Sequence, residues 1–138
     1  MAPRHSLHSE GFNPFGDLIG LKFTACRAGY SRCALEVRPG LLNPHGVVHG
    51  GVLYSMADTG MGAALYPGLA EDELCATVEV KIAYFVAVRS GTLTCDTTLL
   101  HKGKTLAVLE SEMKEEGRPV AKAMGTYSIF KTRKKVPE

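Results

Sequence analysis

The stretch Asn43–Tyr66, NPHGVVHGGVLYSMADTGMGAALY, decides how the rest of the chain is read. From Gly50 to Tyr66 its side chains are small or apolar apart from Asp58 and the neutral Tyr54, Ser55, Thr59 and Tyr66. It reads as a helix stopped by Pro67 and Gly68, and a helix without a polar face is normally a buried one. Asp58 is its single carboxylate. Burying a carboxylate without partners is costly, so such groups concentrate at functional sites. Gly60, Gly62, Ala63 and Ala64 add a second signal, since a glycine costs a helix about 1 kcal/mol relative to alanine. Their use implies close approach to a sheet or to another chain.

Outward from this helix the chain alternates as strands. Upstream, Ile19–Ala28 and Ser31–Arg38 form a hairpin around Gly29, ended by Pro39 and Gly40. Downstream of an acidic linker at Glu71–Glu73, Val78, Val80, Ile82 and Tyr84 share one face of a third strand, and Gly91 opens a fourth over Thr92–Leu100. HKGK at 101–104 reads as a turn. A fifth strand over Thr105–Lys114 places Ala107, Leu109 and Met113 on one face, and a sixth over Val120–Phe130 does the same for Ala121, Ala123, Tyr127 and Ile129. One helix cannot cover six strands from both sides, so the expected class is α+β, an antiparallel six-stranded sheet wrapped around one central helix in the order β-β-α-β-β-β-β. The edge of the third strand, rich in β-branched residues, invites pairing with a second copy.

At 138 residues the chain is expected to hold one folded body over 12–130, between a loose N-terminal arm at 1–11 and a basic tail at 131–138. Hydrophobic content of 45% with 22% charge excludes a disordered chain, and no apolar run is long enough to span a bilayer. The opening MAPRHSLHSEG lacks the apolar core of a signal peptide, so the expected location is cytoplasmic. A formal net charge of +2 is too weak to argue for a nucleic-acid partner, the only basic cluster being the tail Lys131, Arg133, Lys134 and Lys135. Cys26, Cys33, Cys75 and Cys95 are scattered singly with no CxxC pair, and His5 and His8 have no companion donors, so neither a metal site nor a redox motif is expected. Strict alternation puts Cys26 and Cys33 on opposite sides of the first hairpin, which argues against a disulfide.

His49, Gly50 and Gly51 sit where the helix begins, and its first amides have no internal partner while the macrodipole adds positive character. A carbonyl oxygen brought to the Gly51 amide would have its developing charge stabilised, as in an oxyanion hole. HGG also reads as no more than a tight turn into a helix. Asp58 lies seven residues further on, roughly 10 Å along the axis at 1.5 Å per residue. It cannot reach the same carbonyl. If both serve one reaction, the carboxylate comes from a second chain, giving two equivalent sites across a two-fold dimer. The alternative is that Asp58 bonds a buried amide or hydroxyl for structural reasons.

NPHGVVHGGVLYSMADTG resembles the signature of the hotdog-fold acyl-CoA thioesterases, in particular the phenylacetate-pathway (PaaI-type) branch. The resemblance runs over about residues 12 to 130 and includes Asn43, His49 with Gly50 and Gly51, Asp58, and the FVAVRSGTL and GRPVAKAMGTY segments. It implies homodimers joined through the third strand, commonly paired into homotetramers, and hydrolysis of aromatic or medium-chain acyl-CoA without metal or cofactor. In that pattern the Gly51 amide polarises the thioester carbonyl and the partner's Asp58 acts as general base or nucleophile. Asn43 positions the water or thioester, His49 holds the loop or assists the leaving thiolate, and Thr77 supplies a hydroxyl. Arg89, Ser90 and Gly91 match the family's nucleotide-contacting turn, Gly50 is expected to contact substrate, and a second basic hairpin at His101, Lys102 and Lys104 is expected to reach the 3′-phosphate of CoA. Phe12, Phe15, Leu53, Tyr54 and Met61 are expected to shape the acyl pocket. Two other functions fit a hotdog domain: a non-catalytic acyl-CoA-binding module, which Asp58 argues against, and a dehydratase, whose acid and histidine belong to different motifs.

Overall fold

The computed structural model describes residues 12–132. The arm with His5 and His8, and the tail from residue 133, lie outside them. A short helix α1 (Pro14–Ile19) leads into β1 (Lys22–Arg27) and β2 (Tyr30–Glu36), then α2 (Gly50–Leu65), β3 (Glu73–Tyr84), β4 (Thr92–Lys102), β5 (Leu106–Glu115) and β6 (Arg118–Lys131). The strands form one antiparallel sheet in the order β1-β2-β4-β5-β6-β3. This is the expected element order, with β3 at an edge. The supposed linker at Glu73 is already strand, and Lys131 closes β6 and pairs with Asp72 at 3.0 Å.

Turn chemistry explains the connections. The β1–β2 turn uses Gly29 at φ 89°, and the Gly29 amide donates to the last-turn carbonyl of Ala64 at 2.8 Å, tying that hairpin to the end of α2. Between β5 and β6 the two central residues Glu116 and Gly117 both have positive φ, 49° and 81°, which matches the right-handed strand twist.

α2 lies against the sheet with Met56, Ala57, Gly60, Met61 and Ala64 buried. Beneath it runs a row of directly opposed residues on three neighbouring strands, Ser31, Thr97 and Ser111, all fully buried. Their hydroxyls are satisfied. Ser31 Oγ donates to the Gly60 carbonyl at 2.7 Å, and Thr97 and Ser111 bond each other at 2.7 Å. A Cβ on Gly60 would sit 2.7 Å from Thr97 Oγ1, so glycine is what lets the helix settle onto this row.

Two β-bulges correct the alternation argument. One falls between Phe23 and Ala25 of β1 and puts Cys26, like Cys33, on the helix side, where their thiols reach the carbonyls of Ala63 and Met56. All four cysteines are free, but not for the reason alternation supplies. The other bulge, between Thr77 and Glu79 of β3, expels Val78, which is 58% exposed, from the face it was expected to share with Val80, Ile82 and Tyr84.

The helix is also less enclosed than its composition implies. Gly51 and Tyr54 are exposed, and Ser55, Asp58, Thr59 and Gly62 are only half-buried. Gly51, Ser55, Asp58 and Gly62 follow a 4-3-4 spacing and so share one side of α2, the side the sheet of this chain does not cover.

Candidate active site

The start of α2 is built by the loop before it. Asn43 Oδ1 accepts from the amides of His45 (2.9 Å) and Val47 (3.2 Å), and a bridge between Leu42 and Val48 closes the loop. The carbonyl oxygen of Asn43 is thus spent on shaping the chain, while its Nδ2 has no partner among the described residues. His49 is the helix cap: its Nδ1 accepts the Gly51 amide at 2.8 Å, which leaves the ring proton on Nε2. Tyr84 Oη donates to the Gly50 carbonyl at 2.8 Å, and the Arg89 guanidinium reaches over the loop to the carbonyls of His45 and Gly46 at 3.4 and 3.5 Å. Ser90 is exposed beside Gly91, which turns at φ 95°.

Asp58 is held halfway along the open face. Thr77 Oγ1 donates to its Oδ1 at 2.7 Å, and Tyr127 Oη lies 2.5 Å from that same oxygen and 2.6 Å from the Asp58 backbone carbonyl. The Asp58 Oδ2 has no partner among the described residues. Thr77 and Tyr127 are register partners across β3 and β6, so their side chains leave the sheet on one face. Simple alternation puts Thr77 on the Glu79 face, and the bulge at Val78 undoes this: Glu79 bonds Thr126 on the other side of the sheet. Burial, and then the bond to Asp58, push the Tyr127 phenol well above the ordinary tyrosine range.

The sequence profile of the Thioesterase superfamily matches residues 45–122, more than half of the chain. This chain belongs to the thioesterase superfamily. Among solved structures, a conserved protein of Pseudomonas aeruginosa is 34% identical with a TM-score of 0.81, covering 84% of this chain and 93% of its own. A variant of the phenylacetic acid degradation protein PaaI of Thermus thermophilus is 27% identical with a TM-score of 0.77, covering 83% and 97%. A 1,4-dihydroxy-2-naphthoyl-CoA hydrolase of Listeria monocytogenes is 24% identical over 100 residues, 72% of this chain and 81% of its own length. The expected hotdog fold and thioesterase class are therefore those of the chain.

In this thioesterase Asn43, His49, Gly50, Gly51 and Arg89 gather at the N-terminal end of α2, and Asp58, Thr77 and Tyr127 form a second group along the same open face. The basic hairpin stands apart from both. β4 runs from Thr92, beside the Arg89 turn, to Lys102, about 33 Å at 3.3 Å per residue. Leu99 bonds Gly29, which bonds Ala64, so His101, Lys102 and Lys104 lie at the C-terminal end of the helix. They cannot share a pocket mouth with Arg89 on one protomer. Leu53 and Met61 are core residues rather than pocket lining. Two clefts do flank the open face: one of about 380 Å³ walled by Phe15, Leu41, His49, Gly51 and Ser55, and one of about 350 Å³ walled by Phe12, Phe23, Thr59, Gly62 and Tyr66.

Tyr127 was legible only as a core-facing residue of β6, because its hydroxyl's target is set by strand register. Tyr84 was equally visible as an inward residue, and its bond to Gly50 depends on how β3 passes the helix start.

Proposed function

We propose that this thioesterase hydrolyses acyl-CoA thioesters with aromatic or medium-chain acyl groups, at sites shared between the subunits of a homodimer that pairs further into tetramers. The observation that carries the reading is Asp58, a carboxylate on the uncovered face of α2 gripped by two hydroxyls through one oxygen. The Gly51 amide donates to the thioester oxygen in place of the exposed His49 ring, an exchange of one acceptor for another at the helix start that costs about the 1 kcal/mol of a cap. The partner's Asp58 takes a proton from water as it adds to the carbonyl carbon, or adds to it directly to form an anhydride that water then opens. The tetrahedral adduct collapses with loss of the CoA thiolate, which regains the proton. Asn43 Nδ2 orients the water or the thioester, and Arg89, Ser90 and Gly91 hold the nucleotide end. Exposed Val78 and Tyr84 on β3, which lies at an edge of the sheet, and exposed Phe85 just beyond it support pairing through that strand.

Thiol release measured over short, branched, long and aromatic acyl-CoAs tests the substrate class. Asp58→Ala should lower kcat by about a thousandfold with the fold retained, the usual size for a lost general base or nucleophile. Mixing Asp58→Ala chains with Gly51→Val chains, each inactive alone, should restore about one working site per heterodimer. No recovery would break the shared site, and tight acyl-CoA binding without thiol release by the native protein would favour a binding module instead.

A further inference from the structure

Asp58 is gripped asymmetrically. Both hydroxyls, Thr77 Oγ1 at 2.7 Å and Tyr127 Oη at 2.5 Å, converge on Oδ1, while Oδ2 is left to the open face of the helix. The Tyr127 hydroxyl has a single hydrogen and two acceptors in reach, the carboxylate and the Asp58 carbonyl. It goes to the charged oxygen, because hydrogen bonds to an ionised acceptor are roughly twice as strong as neutral ones. The carboxylate is then fixed in torsion by two donors from two strands, and only one of its oxygens can act as base or nucleophile. The Val78 bulge is the backbone device that brings the two donors to the same oxygen, since it aligns Thr77 with Tyr127.

Resting on the function proposed above, we infer that Tyr127 is a positioning residue for the reaction: with Thr77 it clamps Asp58 Oδ1 so that Oδ2 is the reacting oxygen. Tyr127 reaches the chemistry only through Asp58. Its ring is buried against the core and its hydroxyl does not line either cleft.

Thiol release by native protein, Tyr127→Phe, Thr77→Ser, Thr77→Val and Asp58→Asn, each with its thermal midpoint, tests this. Tyr127→Phe keeps the ring and should lower kcat about 10- to 100-fold, the span expected for a hydrogen bond to a charged group, with KM within about twofold. Thr77→Val should lower kcat likewise, and Thr77→Ser, which keeps the donor, should restore it. In an Asp58→Asn background the Tyr127→Phe change should leave the residual rate within about twofold, because the carboxylate it positions is gone. Native-like kcat in Tyr127→Phe with a lowered midpoint would make Tyr127 a merely structural residue and overturn the inference, as would an equal kcat loss in the Asp58→Asn background. Should Tyr127→Phe not fold, the Thr77→Val and Thr77→Ser pair decides the clamp: equal kcat in the two would overturn it. Failure of the proposed function looks different, since then the native protein itself releases no thiol from any acyl-CoA.

Discussion

Gly60 and Gly62 stand two residues apart on α2 and face opposite ways. A side chain at Gly60 would strike Thr97 Oγ1 at 2.7 Å and approach Ser31 Oγ at 3.5 Å, within a buried row of hydroxyls. At Gly62 an added Cβ would meet nothing within 4 Å. The same residue type thus does two jobs. On the sheet side, absence of a side chain brings the helix backbone close enough for Ser31 to bond its carbonyl, which keeps polar atoms in the core satisfied. On the other side it leaves room beside Asp58 for something that is not part of this chain's own sheet. Helix composition alone hides the distinction, because both faces are written in small and apolar letters.

The contrast can be broken most forcefully at the buried glycine. Gly60→Val places a branched side chain where Thr97 stands and disrupts its bond to Ser111. Overpacking of this kind should destabilise by about 3 kcal/mol, read as a lowered urea midpoint at fixed protein concentration.

A smaller effect is expected where the two faces meet, at Tyr127. Its phenol is held protonated well above the ordinary tyrosine range by burial and by the Asp58 bond. Below about pH 10 the folded and unfolded chains both keep that proton, so its contribution to stability is complete. Above that pH the unfolded chain releases it first, and stability falls with pH by up to about 1.4 kcal/mol per unit. Tyr127→Phe lacks the proton. The stability advantage of native protein over Tyr127→Phe should therefore shrink between pH 10 and 11, and urea titrations at pH 8, 10 and 11 check it.

The smallest effect, and the one that sharpens the comparison, is at the open glycine. Gly62→Ala has room and gains helix propensity, so it should stabilise by about 1 kcal/mol in the same urea titration. A loss there would show that the open face packs closely onto a second chain.

Much of the fold was readable residue by residue. Gly29, Gly91 and Gly117 mark turns at positive φ, Pro67 ends the helix, and periodicity places Ala107, Leu109, Met113, Ala121, Ala123 and Ile129 inward. The bulges at Thr24 and Val78 were not readable, because a bulge leaves the sequence alternating while it rotates every later side chain by one face. That is why Cys26 and Thr77 point where alternation does not send them. Of the candidate site, the helix-start residues and Asp58 were legible from their chemistry. Two things escaped: the Gly51 amide is capped by His49 in the chain itself, and the basic hairpin at 101–104 sits at the far end of β4 from Arg89.

Local chemistry along the chain thus settled the order of the elements, the limits of α2 and the identity of its carboxylate, since stop signals, turn residues and a single acid in an apolar run act over a few neighbours. Which side of α2 stays uncovered, and which oxygen of Asp58 is left free, was decided only in three dimensions. The first follows from how Gly60 seats the helix on the Ser31 and Thr97 row, and the second from strand register between β3 and β6, which joins residues fifty positions apart, Thr77 and Tyr127, through backbone hydrogen bonds that no stretch of sequence contains.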